Sequence, residues 1–262
     1  MGEGICKPQK GQIKQWKKLS MAKYRREEGL FLAEGAKVVA ELLKSGRPLD
    51  ALLISEETAG RWEALLSRVP AGAPIYTLTA VEWNALTQDR APEGVMAVAA
   101  MTTPPGTSGL TDGSGPLLLL NQVGNPNNLG ALLRTADWFG FGTVLISAGS
   151  VEATNPKTVR TSMGSLFHLT VVEEVDFERL IPGLQGSFRI VGGDAREGDS
   201  PHPCSERTAL LLGSESHGLP ESLLALTNER WRIPGGGSAE SLSLPQAAAI
   251  MMYECTRGVK HP

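Results

Sequence analysis

Three short apolar runs in this sequence each stop at a polar, turn-rich segment whose residue types could do chemistry. Residues 117–120 (LLLL) give way to NQVGNPNN, ending at Asn128, and Arg134 follows. Residues 209–212 (ALLL) open into Gly213-Ser214-Glu215-Ser216-His217-Gly218-Leu219, which sets a carboxylate among glycines. Residues 231–233 (WRI) run into Pro234-Gly235-Gly236-Gly237 and then Ser241 and Leu242. Glycine permits close backbone approach to a ligand, and a guanidinium, a carboxylate and an amide supply charge and hydrogen bonds. The carboxyl ends of buried strands are where open α/β sheets bind ligands.

The elements that must position these residues are legible in the spacing. A four-residue apolar run bounded by turn residues is short enough for a buried strand. After it, Leu129, Leu132, Leu133, Ala136 and Phe139 recur at helical spacing, with Asn128 as N-cap and Gly140 as the stop. At about 100° per residue, Gly130, Arg134 and Asp137 fall away from that stripe, which leaves Arg134 free to face a ligand. A strand over 142–147 completes a βαβ unit. Helices over 156–165 and 177–184 alternate with strands over 170–173 and 188–192. The last loop enters a C-terminal helix at Ser243-Leu244-Pro245-Gln246, the S-x-x-Q spacing of a capping box, with Ala247, Ile250 and Met251 as its apolar face.

Residues 1–101 read as a compact α/β unit of their own. Strands are expected over 30–33, 51–55, 75–78 and 95–101, and helices over 35–45, 58–68 and 81–86. This unit holds no nucleophile with a partnered base and no glycine-rich phosphate loop, which marks it as a recognition module. Residues 102–116 (TTPPGTSGLTDGSGP) have linker chemistry, so the division is 1–101, linker 102–116 and 117–262.

Totals narrow the classes. With 262 residues and 41% hydrophobic content the chain can pack one large core or two ordinary ones. No apolar run approaches the ~18 residues that span a bilayer. Three separated cysteines, Cys6, Cys204 and Cys255, indicate neither a disulfide framework nor a metal site and fit a reducing cytoplasm. His168, His202, His217 and His261 lack metal-ligand spacing and read as structural or surface residues. The absence of G-x-G-x-x-G and G-K-[ST] argues against dinucleotide oxidoreductases and P-loop NTPases. Residues 1–26 carry eight Lys/Arg against Glu3 alone, a charge of +7 that leaves −10 on the remainder of a chain whose net charge is −3. Such an arm suits phosphate, through Lys14, Lys17, Lys18, Arg25 and Arg26. The plainer reading is a solvated first helix. Trp16 and Tyr24 among these lysines suit either base stacking or the core, and packing is favoured.

Taken together, the three junctions resemble the SpoU/TrmH family of RNA ribose methyltransferases. N-P-x-N-L-G-x-x-x-R-T-A stands at 125–136, G-x-E-x-x-G-L at 213–219, and I-P followed by a glycine-rich loop and S-L at 233–242. The N-terminal unit is similar to a ribosomal-protein-like RNA-binding domain, at Glu34-Gly35 and Pro92-Glu93-Gly94-Val95.

The resemblance implies an α/β chain whose C-terminal SPOUT methyltransferase domain is trefoil-knotted. It implies S-adenosylmethionine as methyl donor, rRNA or tRNA as acceptor, no metal, no membrane, and a cytoplasmic homodimer with sites at the interface. By position, Gly213, Ile233 and Leu242 would hold the donor, Arg134 would be catalytic, Asn128 and Glu215 would order the site, and Ser241 would hold the loop or the substrate. A guanidinium rarely gives up its proton, so Arg134 is expected to stabilise a developing alkoxide rather than act as base. One departure is Ser243, where the family usually has Asn. It keeps an N-cap type but puts in doubt any bond the amide makes across the site. The alternatives are a non-catalytic RNA-binding or ribosome-assembly protein on the same fold, and a related knotted enzyme methylating a tRNA base nitrogen.

Overall fold

The computed structural model describes residues 5–103, 106–110, 115–204 and 207–258. His261 and parts of the expected linker lie outside them. The chain forms two compact units, one of residues 1–103 with 154–167 and one of residues 104–153 with 168–262.

The first unit begins with β1 (Ile5–Cys6), α1 (Lys10–Lys18), α2 (Ala22–Glu28), β2 (Leu30–Glu34), α3 (Ala36–Ser45) and β3 (Leu49–Ser55). After a 3₁₀ turn at Glu56–Arg61 come α4 (Glu63–Leu66), β4 (Ile75–Leu78), α5 (Ala80–Leu86) and β5 (Val95–Ala100). The sheet order is β1-β4-β3-β5-β2, with β5 antiparallel to both neighbours and β4 parallel to both of its own. Trp16, Leu19, Leu32, Leu53, Trp83 and Met96 share the core. Burial of Trp16, whose ring lies 5.4 Å from that of Tyr76, bears out the packing reading. Tyr24 lies half-buried, with Lys18 Nζ 5.0 Å from its ring centre.

Two expectations change here. Arg25 is not on the phosphate-facing surface: it is buried and donates to the carbonyls of Leu19 (3.1 Å) and Ser20 (3.2 Å), bracing the turn between α1 and α2. The helix expected over 58–68 is split because Thr58 is engaged elsewhere. Its hydroxyl bonds the Gly94 carbonyl (3.3 Å) and receives the Trp62 indole N–H (3.2 Å). A Cβ on Gly94 would stand 2.1 Å from that hydroxyl, and Gly94 has φ +85°, so glycine is required there on two counts. The neighbouring Glu93 accepts the Ala36 amide at 2.5 Å, and Gly35 N donates to Val95 O at 3.0 Å. The Glu34-Gly35 and Glu93-Gly94-Val95 segments are therefore joined.

The second unit carries β6 (Leu117–Leu120), α6 (Pro126–Trp138) and β7 (Thr143–Ser147). The chain then passes through α7 (Pro156–Thr161) and a 3₁₀ turn at Ser165–Phe167, which group with the first unit although the linear division puts them in the second. It continues with β8 (Thr170–Val175), α8 (Phe177–Leu184), β9 (Arg189–Gly193), β10 (Thr208–Leu212), α9 (Glu221–Leu224), β11 (Glu229–Trp231) and α10 (Leu244–Thr256). All six strands are parallel, in the order β11-β9-β10-β6-β7-β8. A parallel sheet covered on both faces needs unbroken apolar strands, which is why Leu117–Leu120 and Thr208–Leu212 are buried throughout.

The last strand ends at Trp231, so Ile233 lies beyond it, half-buried. Helix α10 packs on α6 and buries Ala248, Met251, Met252 and Cys255, while Ile250, expected inward, is 40% exposed. Gly130, expected off the stripe of α6, is buried. Cys204 and Cys255, far apart in sequence, are neighbours: the Cys204 amide donates to the Cys255 carbonyl at 2.9 Å, which ties down the end of α10.

Trp231 is fully buried and its indole N–H reaches Glu229 at 2.6 Å. Trp231→Ala should lower unfolding free energy by about 3–5 kcal/mol, read from the midpoint of a urea transition. A loss below about 1 kcal/mol would mean that the edge of the sheet closes over the gap.

Candidate active site

The first junction starts at Asn121, whose amide donates to Leu212 O at 2.8 Å and so continues the pairing of β6 with β10. Helix α6 begins earlier than its apolar stripe implies. Asn125, not Asn128, is the N-cap: its backbone is extended and its side chain accepts the Asn127 amide at 2.9 Å. Pro126 then fits the first helical position, where its missing N–H costs nothing. Asn128, one turn in, is thereby released from capping, and its Nδ2 donates to Glu215 Oε1 at 2.9 Å. Glu215 also accepts the amides of Gly124 and Asn125, each at 3.4 Å. One carboxylate therefore joins the first junction to the second.

Burial pushes the Glu215 carboxyl up, but the hydrogen bonds from Asn128 and from backbone amides, including those of Gly124 and Asn125, outweigh it and hold the group below the ordinary carboxylate value. The loop that carries Glu215 doubles back on itself, with Ser214 and Gly218 exchanging backbone bonds of 3.2 and 3.0 Å. A Cβ on Gly213 would stand 2.1 Å from the Gly218 carbonyl carbon. Glycine is thus required at 213 by the returning backbone itself.

Arg134 is exposed on α6 and makes no hydrogen bond or ion pair among the described residues. Asp137, on the same helix, binds His168 Nδ1 at 2.9 Å. The third junction is open. Gly235, Gly236 and Gly237 have nothing within 4 Å of where a side chain would begin, Ser241 is exposed, and Leu242 is 45% exposed. Ser243 caps α10 through its backbone position alone: its side chain makes no cap bond, so the expected capping box with Gln246 is absent. Bare backbone between half-buried Ile233 and exposed Leu242 suits a flat, partly apolar ligand read through amides and carbonyls. Among the described residues no His/Cys/Asp/Glu group is arranged to hold a metal, and no helix is long and apolar enough to cross a membrane. Of the basic residues, Lys14, Lys17, Lys18 and Arg26 are exposed on α1 and α2.

Comparison with known proteins gives consistent matches. Residues 116–253 match the SpoU rRNA Methylase family, and residues 10–97 match the MRM3-like substrate binding domain. The 23S rRNA (guanosine(2553)-2′-O)-methyltransferase RlmP of Bacillus subtilis is 34% identical over 92% of this chain and 94% of its own. A putative RNA methyltransferase of the TrmH family from Porphyromonas gingivalis superposes with a TM-score of 0.83 at 30% identity, covering 97% of this chain and 100% of that one. The SpoU methyltransferase AviRb from Streptomyces viridochromogenes, solved with AdoMet, superposes with a TM-score of 0.84 at 25% identity, covering 95% and 98%.

The Glu215 bonds carry a pH signature. A carboxylate whose folded value is depressed stabilises the fold above its unfolded value and loses that contribution as pH falls through the folded one. Glu215→Gln should be less stable than the parent chain at about pH 7, and the gap should narrow as pH falls below the ordinary carboxylate value, read by urea unfolding. A gap that stays constant with pH would show that the charge does no stabilising.

Proposed function

The chain belongs to the SpoU rRNA methylase family, and from that premise we propose how its own residues carry out S-adenosylmethionine-dependent 2′-O-methylation of a ribose in ribosomal RNA. The observation that carries the reading is the bond from Asn128 to Glu215, which locks the first and second motifs together at the carboxyl ends of adjacent strands. The third motif fits the methyl donor, with open glycine backbone between Ile233 and Leu242.

S-adenosylmethionine supplies a methyl group already activated on a sulfonium. What remains for the protein is to aim a 2′-hydroxyl and ease the loss of its proton, and positioning contributes much of such an acceleration. Arg134, which pairs with no acidic side chain among the described residues, offers a fixed positive charge to the alkoxide that develops. Asn128 and Glu215 hold the loop that presents α6, Ser241 steadies the third-motif loop, and Gly213, Ile233 and Leu242 bind the donor. Residues 1–101 are the substrate-binding part and 117–262 the catalytic part, with Lys14, Lys17, Lys18 and Arg26 as phosphate contacts.

The active form in this reading is a cytoplasmic homodimer. Trp138 is 82% exposed, Tyr253 51% and Ile250 40%, all on α6 and α10, and the Phe139 ring lies 6.2 Å from that of Tyr253. Large apolar side chains gathered on one face are costly to leave in water, and a second copy of the same face would cover them.

Arg134→Ala should abolish tritiated methyl transfer to unmodified ribosomal RNA while S-adenosylmethionine still binds by titration. Equal loss of both would refute the electrostatic role, and donor binding without transfer by the parent chain would favour the non-catalytic reading. Replacing Lys14, Lys17 and Lys18 together with Gln should weaken RNA binding and flatten the slope of log affinity against log salt by about 2–3. An unchanged slope would return α1 to an ordinary solvated helix.

A further inference from the structure

The loop from β6 to α6 has five consecutive amides, and four residues hold them. Asn121 N goes to Leu212 O at 2.8 Å, Gln122 N to Ser147 Oγ at 2.8 Å, Val123 N to Ser150 Oγ at 3.1 Å, and Gly124 and Asn125 N to Glu215. Gln122 has φ +53°, a left-handed conformation that a residue with a side chain keeps only when its surroundings impose it. The two serine hydroxyls bond the amide of this residue and that of the next.

Ser147 closes strand β7, next to β6, and is buried. Its hydroxyl spends its proton on Ala148 O (3.1 Å), which leaves lone pairs to receive Gln122 N. Ser150 Oγ lies 3.4 Å from Ser147 Oγ, and Val151 N returns a bond to Val123 O at 2.9 Å. Turn 147–151 is thus a template against which loop 121–125 is moulded.

We infer that Ser147 and Ser150 are positioning residues for methyl transfer, holding the first-motif loop so that Asn128 and the amides of Gly124 and Asn125 converge on Glu215. This rests on the methyltransferase reading above. Neither serine belongs to the three motifs, and neither is close in sequence to the groups it aligns. Without Ser147 the Gln122 amide loses its partner, the left-handed turn relaxes, and the amides that follow swing away from the carboxylate. The donor site, built from Gly213, Ile233 and Leu242, takes no bond from either serine, so donor affinity is independent of them.

The test uses the full chain with unmodified ribosomal RNA. Ser147→Ala should lower kcat about tenfold, with KM for RNA and Kd for S-adenosylmethionine within about twofold of the parent. Ser150→Ala should act in the same direction but less. Ser147→Thr, which restores the hydroxyl, should recover most of the rate. In a Glu215→Gln background the Ser147→Ala loss should largely vanish, because the two act through one clamp. A Ser147→Ala chain that melts lower but turns over normally, or a loss of equal size in both backgrounds, would overturn the inference. A parent chain that transfers no methyl would overturn the functional reading and this role with it. If Ser147→Ala fails to fold, Ser150→Ala carries the same comparison.

Discussion

Strands β6 and β10 pair in parallel, Leu117 opposite Ala209 through Leu120 opposite Leu212, and the pairing runs one bond further, from Asn121 N to Leu212 O. The register rests on this ladder and on the core that covers both faces of the strands. The two loops that leave them are therefore fixed side by side before any polar contact forms. Glu215 then has only to bridge a gap already set by the sheet, and its bonds to Asn128, Gly124 and Asn125 convert strand register into the position of a helix start.

The polar chemistry follows from that constraint. Depressing the Glu215 carboxyl takes neutral donors, an amide side chain and backbone N–H groups, and needs no neighbouring cation. Arg134 stands unpaired among the described residues on the open face of α6, while Asp137 on the same helix binds His168. The site thus holds a carboxylate that is satisfied and a guanidinium that is not, which is the pairing a reaction generating transient negative charge requires.

Much of this was readable as sequence. Unbroken apolar runs such as 117–120 and the helix Phe177–Leu184 fall where spacing puts them, and the three motifs name the junctions. What escaped was set by tertiary partners. Asn128 looks like an N-cap until Asn125 is seen capping instead, and both have the right residue type and neighbours. Arg25 reads as surface charge in a basic stretch, but two carbonyls at a tight turn claim it. Ser147 and Ser150 carry no periodic signal at all, since a hydroxyl bonded to a backbone amide some 25 residues away leaves no mark on local composition. The apolar face of α10 cannot be phased from spacing alone, since Ile250 lies on its exposed side while Ala248, Met251 and Met252 are buried.

The order of strands has a consequence for how the protein is made. During synthesis β6, β7 and β8 emerge together and can pair, but β6 keeps one bare edge and β9 has no partner until β10 leaves the ribosome. An unpaired apolar edge of this kind invites aggregation, and pairing across so long a stretch of chain is intrinsically slow. Strand β10 is thus the piece whose arrival joins two half-sheets, and it delivers Gly213 and Glu215 in the same event. The Glu215 clamp therefore cannot form before β10 has emerged, and the third junction, residues 233–242, follows only with β11 and α10.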